Sequence, residues 1–328
     1  MHMPMNENNM QRESLTVMRK ILHFKESGIL IALILLSLTL SVATNKFLTP
    51  YNIGIVIRQV SFVAIVALGQ TLVLLTGGID LSVGNMAGLC SILGSLMMVS
   101  TRIDPYVCTI LAMLIGLMLG SISGFLIARV GLNAFIATLA MGEVFAGLVL
   151  VITKGYPITG IPPKFKFLGQ GMLGLVPVPV IIMLVITAIF AYVLKYTPYG
   201  RHIYAIGGNE LASRLVGIRV IRIKMSVYAI SGMLSALAGI IFVSRMNAGQ
   251  PTIGPSWLMP SVTAAIIGGT TLSGGEGTVL GTIIGAIFMG VLANGIVLLD
   301  ISAYWERVII GAVVVAAVII DIVRVRRF

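Results

Sequence analysis

The stretch IGIVIRQVSFVAIVALGQTLVLLTGGIDLSVG occupies residues 53–84 and decides the fold class. Up to residue 75 it carries a single charge, Arg58, in an otherwise largely apolar run. A helix needs about 20 apolar residues to cross the hydrocarbon core of a bilayer. The pair Gly77-Gly78 then favours a break, because glycine adopts backbone conformations that other residues avoid. The stretch therefore predicts a membrane-spanning helix that ends at a glycine-rich turn.

The whole chain has the composition of a membrane protein. It has 328 residues, 58% hydrophobic and 10% charged, with a mean hydropathy of +1.06. Soluble domains carry about 25% charged residues, so a soluble globule could not hide this much apolar surface. The composition excludes a soluble enzyme, a disordered chain and a disulfide scaffold. Continuous apolar runs also exclude an outer-membrane barrel, whose strands alternate polar and apolar residues.

Ten apolar runs follow one another along the chain. They lie at about 28–44, 53–75, 83–100, 105–128, 134–153, 177–195, 225–244, 258–270, 278–299 and 305–322. The third and eighth are short and rich in glycine, which is typical of broken or re-entrant segments. We predict an all-α integral membrane protein with about ten transmembrane helices. Its polytopic domain covers 28–322, between a cytoplasmic N-terminal segment, 1–27, and a basic cytoplasmic tail, 323–328.

The charged residues predict the orientation of the chain. The net charge is +11, and fourteen of the 22 Lys and Arg residues fall on one side of a ten-span topology. Cytoplasmic loops of membrane proteins collect Lys and Arg, so both termini are predicted to be cytoplasmic. The same bias explains a pI near 10.0 without a nucleic-acid partner. The predicted surroundings of the chain are membrane lipid.

Two loops are unusually long. Residues 154–176 lie outside in this topology, and their density of proline and glycine indicates an ordered cap or docking surface rather than a span. Residues 196–224 lie inside, where Asn209 can cap a short helix that runs through Gly217. The apolar residues of this helix follow helical spacing. They leave two interpretations open, a helix on the lipid surface and a helix that docks into a partner protein.

An internal repeat connects two distant parts of the chain. Residues 77–84 are GGIDLSVG and residues 268–275 are GGTTLSGG, and both fit GGxxLSxG. A true repeat would make the chain two related halves, with broken helices on the substrate path. Copies six spans apart indicate a parallel relation and an odd offset would indicate an inverted one, so the span count and the repeat together leave the symmetry open. The alternative is tight helix packing at each glycine. The repeat residues that are candidates for the translocation path or its gate are Gly77, Gly78, Ser82, Gly268, Gly269 and Ser273.

Few ionisable residues lie near or within the apolar runs. Asp80 sits in the first repeat copy, and Glu143 sits in the middle of the fifth run. Ionisable residues in a membrane are costly and often functional, so both are candidates for the path or its gate. Asn85 and Asn294 are candidate path-lining residues. An ion-coupled secondary transporter of a small polar solute would use such residues, and these residues therefore leave that function open as an alternative.

The segment LSGGE at 272–276 is close in sequence to the signature motif of ABC ATPases. The chain contains no Gly-Lys dipeptide and therefore lacks the phosphate loop that ATP binding requires. It also contains no HExxH or CxxC motif. We predict no catalytic residues, no metal and no cofactor in this chain, which does not itself bind ATP.

Four stretches resemble the permease subunits of ribose- and xylose-type ABC sugar importers, a branch that also contains autoinducer permeases. They are residues 47–84, 135–158, 197–220 and 264–286, with TGGIDLSVG and GRHIYAIGGNE as the specific segments. The resemblance implies a multi-pass permease of the bacterial inner membrane that forms the path for a monosaccharide, ribose by default. It implies a second permease copy or a sister permease, a cytoplasmic ABC ATPase as the partner subunit that binds ATP, and a periplasmic or lipoprotein sugar-binding protein.

The resemblance also implies a cytoplasmic coupling helix, which fits a groove on the ATPase. The residues of this helix that carry the resemblance are Asn209, Glu210, Ala212, Arg214 and Gly217. This favours the docking interpretation of the 196–224 loop. The chain departs from the usual Glu-Ala-Ala…Gly pattern, because Leu211 follows Glu210 and Gly217 comes one residue late.

Overall fold

The computed structural model describes residues 27–325, without the side chains of residues 303 and 320–325. The predicted N-terminal segment lies outside this part except for Ser27, and the predicted tail lies outside it from residue 326. The helices are α1 Ser27–Ala43, α2 Pro50–Leu75, α3 Val83–Ser100, α4 Pro105–Phe125, α5 Ala134–Thr153, α6 Lys166–Gln170, α7 Val178–Tyr196, α8 Pro198–Gly208, α9 Glu210–Leu215, α10 Val220–Met246, α11 Leu258–Ile267, α12 Val279–Leu298 and α13 Ala303–Val325. A π-helical turn, Leu126–Val130, extends α4, and a small hairpin pairs β1 Met172–Leu173 with β2 Val176–Pro177.

The all-α membrane fold is confirmed. Each of the ten predicted runs falls on a helix, and seven of the described helices are long and apolar enough to cross a membrane. These seven are α2, α3, α4 with its π-helical turn, α5, α7, α10 and α12. Helix α1 and the segment Pro255–Ile267 are apolar but shorter. The count of ten spans stays a prediction.

Local sequence signals fix several helix boundaries. The side chains of Thr49, Asp104 and Asn133 accept backbone N–H groups at the starts of α2, α4 and α5. Proline occupies the first position of α2, α4 and α8, where its missing N–H costs no helical hydrogen bond. These caps satisfy donors that a helix leaves unpaired at its beginning.

Helix α10 is the centre of the bundle and packs against α2, α3 and α4. In its most apolar window 72% of the residues are buried inside the protein, against 28% in α4, α5 and α7. Glycines bring α4 and α10 together, since a Cβ on Gly120 would lie 2.2 Å from the carbonyl oxygen of Tyr228. Helices α4, α5 and α7 thus lie at the periphery of the described bundle, and of these three α4 is the one that packs extensively on α10.

The third and eighth apolar runs differ in structure. The third is the single unbroken helix α3, whereas the eighth is the short helix α11, preceded by a non-helical stretch at 249–254. This stretch lies along α3, because a Cβ on Gly88 would be 2.7 Å from the Ile253 carbonyl oxygen. Protein therefore covers this irregular backbone, as a membrane interior demands.

The bundle has two distinct ends. The coupling-loop end holds residues 196–224 and the repeat loops at 76–82 and 268–278. At the opposite end, residues 154–176, predicted as an ordered cap or docking surface, hold a short helix and part of a hairpin and contain no membrane-length helix; the full segment, 154–177, runs to Pro177, where the hairpin ends. Its Gly169 N–H donates to Ser244 Oγ of α10 at 2.7 Å, and its Ile158 pairs with Gly249 in an antiparallel bridge.

Candidate translocation path and coupling site

Helix α2 ends in a Schellman motif at the first repeat copy. Gly77 has a φ of 73° and donates its N–H to the Leu74 carbonyl at 2.8 Å, while Gly78 donates to the Val73 carbonyl at 3.1 Å. This pattern requires a residue in the left-handed conformation, which glycine supplies without strain. The chain then turns back into the protein, where Asp80 and Ser82 are fully buried.

Asp80 organises the backbone of this loop. One carboxylate oxygen, Oδ1, accepts the Ser82 N–H at 3.0 Å and the Ser82 hydroxyl at 2.6 Å. The other, Oδ2, accepts the Ser231 hydroxyl of α10 at 3.1 Å. Among the described residues no cation pairs with Asp80. The predicted gate residue is therefore held by neutral hydrogen-bond donors.

Three helices fix the loop around Asp80. Gln70 of α2 donates its side-chain amide to the Asp80 carbonyl at 2.5 Å. Tyr228 of α10 donates its hydroxyl to the Ile79 carbonyl at 3.2 Å, and Thr138 of α5 accepts the Leu81 N–H at 3.0 Å. The loop moves only if these helices move with it or if buried hydrogen bonds break.

The second repeat copy ends α11 with the same motif, shifted by one residue. Gly269 has a φ of 94° and donates to the Ile266 carbonyl at 2.9 Å, and Thr270 donates to the Ala265 carbonyl at 3.0 Å. Gly269 is thus the structural counterpart of Gly77, whereas the sequence repeat pairs Gly77 with Gly268. Gly268 instead packs on α12, where its Cβ would be 2.3 Å from the Gly281 carbonyl oxygen.

The two repeat loops meet at the coupling-loop end. The Gly275 N–H donates to the Leu75 carbonyl at 3.0 Å. A Cβ on Gly77 would lie 3.3 Å from the carbonyl oxygen of Ser273, whose own side chain is exposed. The repeat thus brings together residues about 200 positions apart, which the sequence pattern alone did not reveal.

A cavity of about 400 Å³ opens beside the first repeat loop. Its volume falls within the range of about 300–1,000 Å³ that is usual for small-molecule sites. The lining residues are Thr76, Gly77, Gly78, Ile79, Ile127, Leu132, Asn133, Ala134, Phe135, Lys224, Tyr228 and Leu272. The cavity therefore joins both repeat loops to the start of α10.

The predicted coupling helix is α9. Asn209 caps it by accepting the Ala212 N–H at 2.9 Å, and Gly217, with a φ of 86°, ends it in a third Schellman motif. Glu210 pairs with Arg214 one turn later and with Lys224 of α10, both at 2.5 Å. Burial alone would raise the pKa of Glu210, but hydrogen bonds from these two cations hold that pKa below its usual range. The partner Lys224 was not predicted, because it lies 14 residues away.

One face of α9 and its end is apolar and uncovered. Leu211, Leu215 and Val216 are 70%, 81% and 77% exposed. Ala212 and Arg214 are exposed beside them. Three large apolar side chains exposed together at the coupling-loop end indicate an interaction site.

The other predicted path residues lie in different surroundings. Glu143 is exposed in the middle of α5, and no hydrogen bond or ion pair joins it to the rest of the described chain. Asn85 is half-buried near Gly142 of α5. Asn294 exchanges two amide hydrogen bonds with Asn52, at 3.0 and 2.8 Å, which favours a packing role between α12 and α2.

These features define a polytopic membrane protein with a short helix that exposes an apolar face at one end and a small cavity at the same end. The chain belongs to the family described as branched-chain amino acid transport system / permease component, whose model matches residues 52–318. It is a transport subunit of an ABC importer, not an enzyme, and its family works with ATPase and binding-protein partners.

Its relatives are import permeases. The chain is 43% identical to the ribose import permease protein RbsC of Bacillus subtilis over 318 residues, which cover 95% of this chain and 98% of the relative. It is 43% identical to RbsC of Haemophilus influenzae over 89% of this chain and 91% of the relative. It is 33% identical to the autoinducer 2 import system permease protein LsrC of Photorhabdus laumondii over 93% and 91%. No solved structure matches the chain. These relatives support the sugar permease and not the ion-coupled alternative.

Proposed function

We propose that this chain forms the membrane path of an ATP-driven importer for a ribose-like monosaccharide. The observation that carries the proposal is the uncovered apolar face of α9, on a chain whose relatives are named import permeases. The ion pair of Glu210 with Lys224 ties the start of α9 to α10. Docking requires such a helix to keep one orientation, which the contacts of Glu210 with Arg214 and Lys224 favour.

The orientation follows from the position of this docking face. An ATPase acts where ATP is found, so the coupling-loop end lies in the cytoplasm and both termini lie on the same side. This agrees with the excess of Lys and Arg in the segments of that side. The chain is then a multi-pass protein of the bacterial inner membrane.

The opposite end receives the sugar-binding protein. Its connecting segments, 44–49, 101–104, 154–177, 247–257 and 299–302, carry five exposed cations and only two acids, of which one is exposed and one half-buried. One acid, Asp104, already pairs with Lys164, and this contact lowers its pKa. A partner with an acidic docking face fits this surface, since complementary charge guides encounter and fixes register.

A second permease, a copy or a sister chain, completes the path. Glu143 sits halfway along an apolar helix and is exposed, and a carboxylate facing lipid there would be costly. The Glu143 face of α5 therefore faces water in the path between two permeases. The cavity beside Gly77 and Lys224 is the cytoplasmic end of that path. The repeat glycines and Ser82 hold its walls, and the binding protein supplies most of the affinity for sugar.

The test is transport by the reconstituted complex. The chain, its ATPase and its binding protein are placed in proteoliposomes, and uptake of labelled ribose is measured with ATP, with a non-hydrolysable analogue and with a protonophore. The proposal expects uptake that needs ATP hydrolysis and survives the protonophore. Uptake that collapses with the protonophore while ATP remains would instead establish the ion-coupled transporter. Competition by xylose, galactose, fructose and inositol then defines the sugar.

A further inference from the structure

Helix α8, just before the coupling helix, touches the point where the repeat loops meet. A Cβ on Gly207 would lie 1.9 Å from the Leu75 carbonyl oxygen and 2.3 Å from the Gly275 nitrogen. Those two atoms form the 3.0 Å hydrogen bond that joins the loops. Real Cβ atoms do not come so close to backbone, so only glycine fits here. We call Leu75, Gly207 and Gly275 the glycine junction.

A second contact fastens α8 to the same place. The hydroxyl of Tyr204, one turn before Gly207, donates to the Gly277 carbonyl at 2.9 Å. Gly277 lies two residues after the end of the second repeat copy. Helix α8 is therefore attached to the repeat loops by one side-chain hydrogen bond and by one backbone-to-backbone contact.

The junction is also close to the coupling helix along the chain. Gly207 lies two residues before Asn209, which caps α9. The contact at Gly207 contains no flexible side chain that could absorb a displacement, and packed interiors transmit strain because they are dense. We infer that the glycine junction transmits movement of the coupling helix to both repeat loops. This inference rests on the proposed function and makes Gly207 a positioning residue for transport.

Neighbouring glycines provide a matched test. In the assembled importer, Gly207→Ala adds a methyl group inside the junction, whereas Gly208→Ala adds one where nothing lies within 4 Å. We expect Gly207→Ala to lower the sugar moved per ATP hydrolysed roughly tenfold, a typical size for coupling between sites, while the ATPase still co-purifies. Gly208→Ala should transport like the parent chain.

A milder pair of variants covers the case in which Gly207→Ala does not assemble. Tyr204→Phe removes the hydrogen bond to the second repeat loop. Tyr199→Phe removes one from the same helix, between the Tyr199 hydroxyl and Ser226 Oγ of α10. Sugar moved per ATP should fall in Tyr204→Phe and not in Tyr199→Phe.

The outcomes separate this inference from the proposed function. If the parent complex shows no ATP-dependent uptake, the proposed function fails. If the parent transports and either matched pair shows equal sugar moved per ATP, the junction does not carry the coupling. A common loss in both members of a pair overturns the inference as well, because it would show a general effect on α8.

Discussion

At the scale of single residues, Asp80 shows how a buried carboxylate can hold a loop together. Its three hydrogen bonds come from Ser82 and Ser231, and none comes from a cation in the described chain. We expect Asp80→Ala to lower stability by about 1–3 kcal/mol for each donor left unpaired. Asp80→Asn keeps an acceptor oxygen and should lose less. Thermal unfolding in detergent compares the two, and equal losses would contradict this role.

Glu143 is exposed in the middle of an apolar helix, so we predict that its side chain contacts water. We expect Glu143→Cys in the assembled importer to react with a charged, membrane-impermeant thiol reagent, because a thiol reacts as the thiolate and needs solvent. The native Cys90 and Cys108 are both buried and provide a low background. Leu148→Cys, exposed on another side of α5, is the control that should stay unlabelled in lipid. Labelling of Leu148→Cys alone would place Glu143 away from the path.

Sequence reasoning found these residues but not their partners. The sequence alone shows a charge next to or within an apolar run, and this makes Asp80 and Glu143 candidates. The partner Ser231 lies 151 residues beyond Asp80, and Asn52 lies 242 residues before Asn294. Contacts at such distances depend on how helices pack, and no local pattern encodes them.

At the scale of elements, the exposed apolar face of α9 predicts which substitutions prevent binding of the ATPase. We expect Leu211→Ser with Leu215→Ser to abolish co-purification of the ATPase, because a few buried residues carry most of the binding energy of an interface and these two are the largest apolar side chains that α9 exposes. The fold should stay intact, since both side chains are at least 70% exposed. Leu175→Ser, at a residue 92% exposed in the hairpin at the opposite end, is the matched control. Retention of the ATPase by the double variant would move the docking site elsewhere.

Helices were easier to predict than the repeat. Apolar length marks a membrane helix directly, so all ten runs fall on helices, and the Asn209 cap follows from one side chain. The register of the repeat depends instead on where each helix ends. Gly77 and Gly269 both take the left-handed position of a Schellman motif, which shifts the structural match by one residue.

At the scale of the whole molecule, partner binding at the two ends should respond differently to salt and to changes of surface charge. We expect Lys154→Glu with Lys166→Glu to raise the concentration of binding protein that half-saturates uptake several-fold, because the exposed cations there guide an acidic partner. The effect should shrink as ionic strength rises. Co-purification of the ATPase should not change. An unaltered half-saturation at low salt would exclude these lysines from the docking surface.

Helix α10 also has a mechanical consequence. It is one continuous helix of 27 residues, about 40 Å long at 1.5 Å per residue. Near one end Ser244 holds the segment 154–177, and near the other Lys224 holds Glu210 of α9. An unbroken helix behaves as a rigid rod, so a tilt of α10 at one end also displaces its other end. One rigid helix therefore joins the two proposed docking surfaces, and we expect binding at one of them to alter the position of the other.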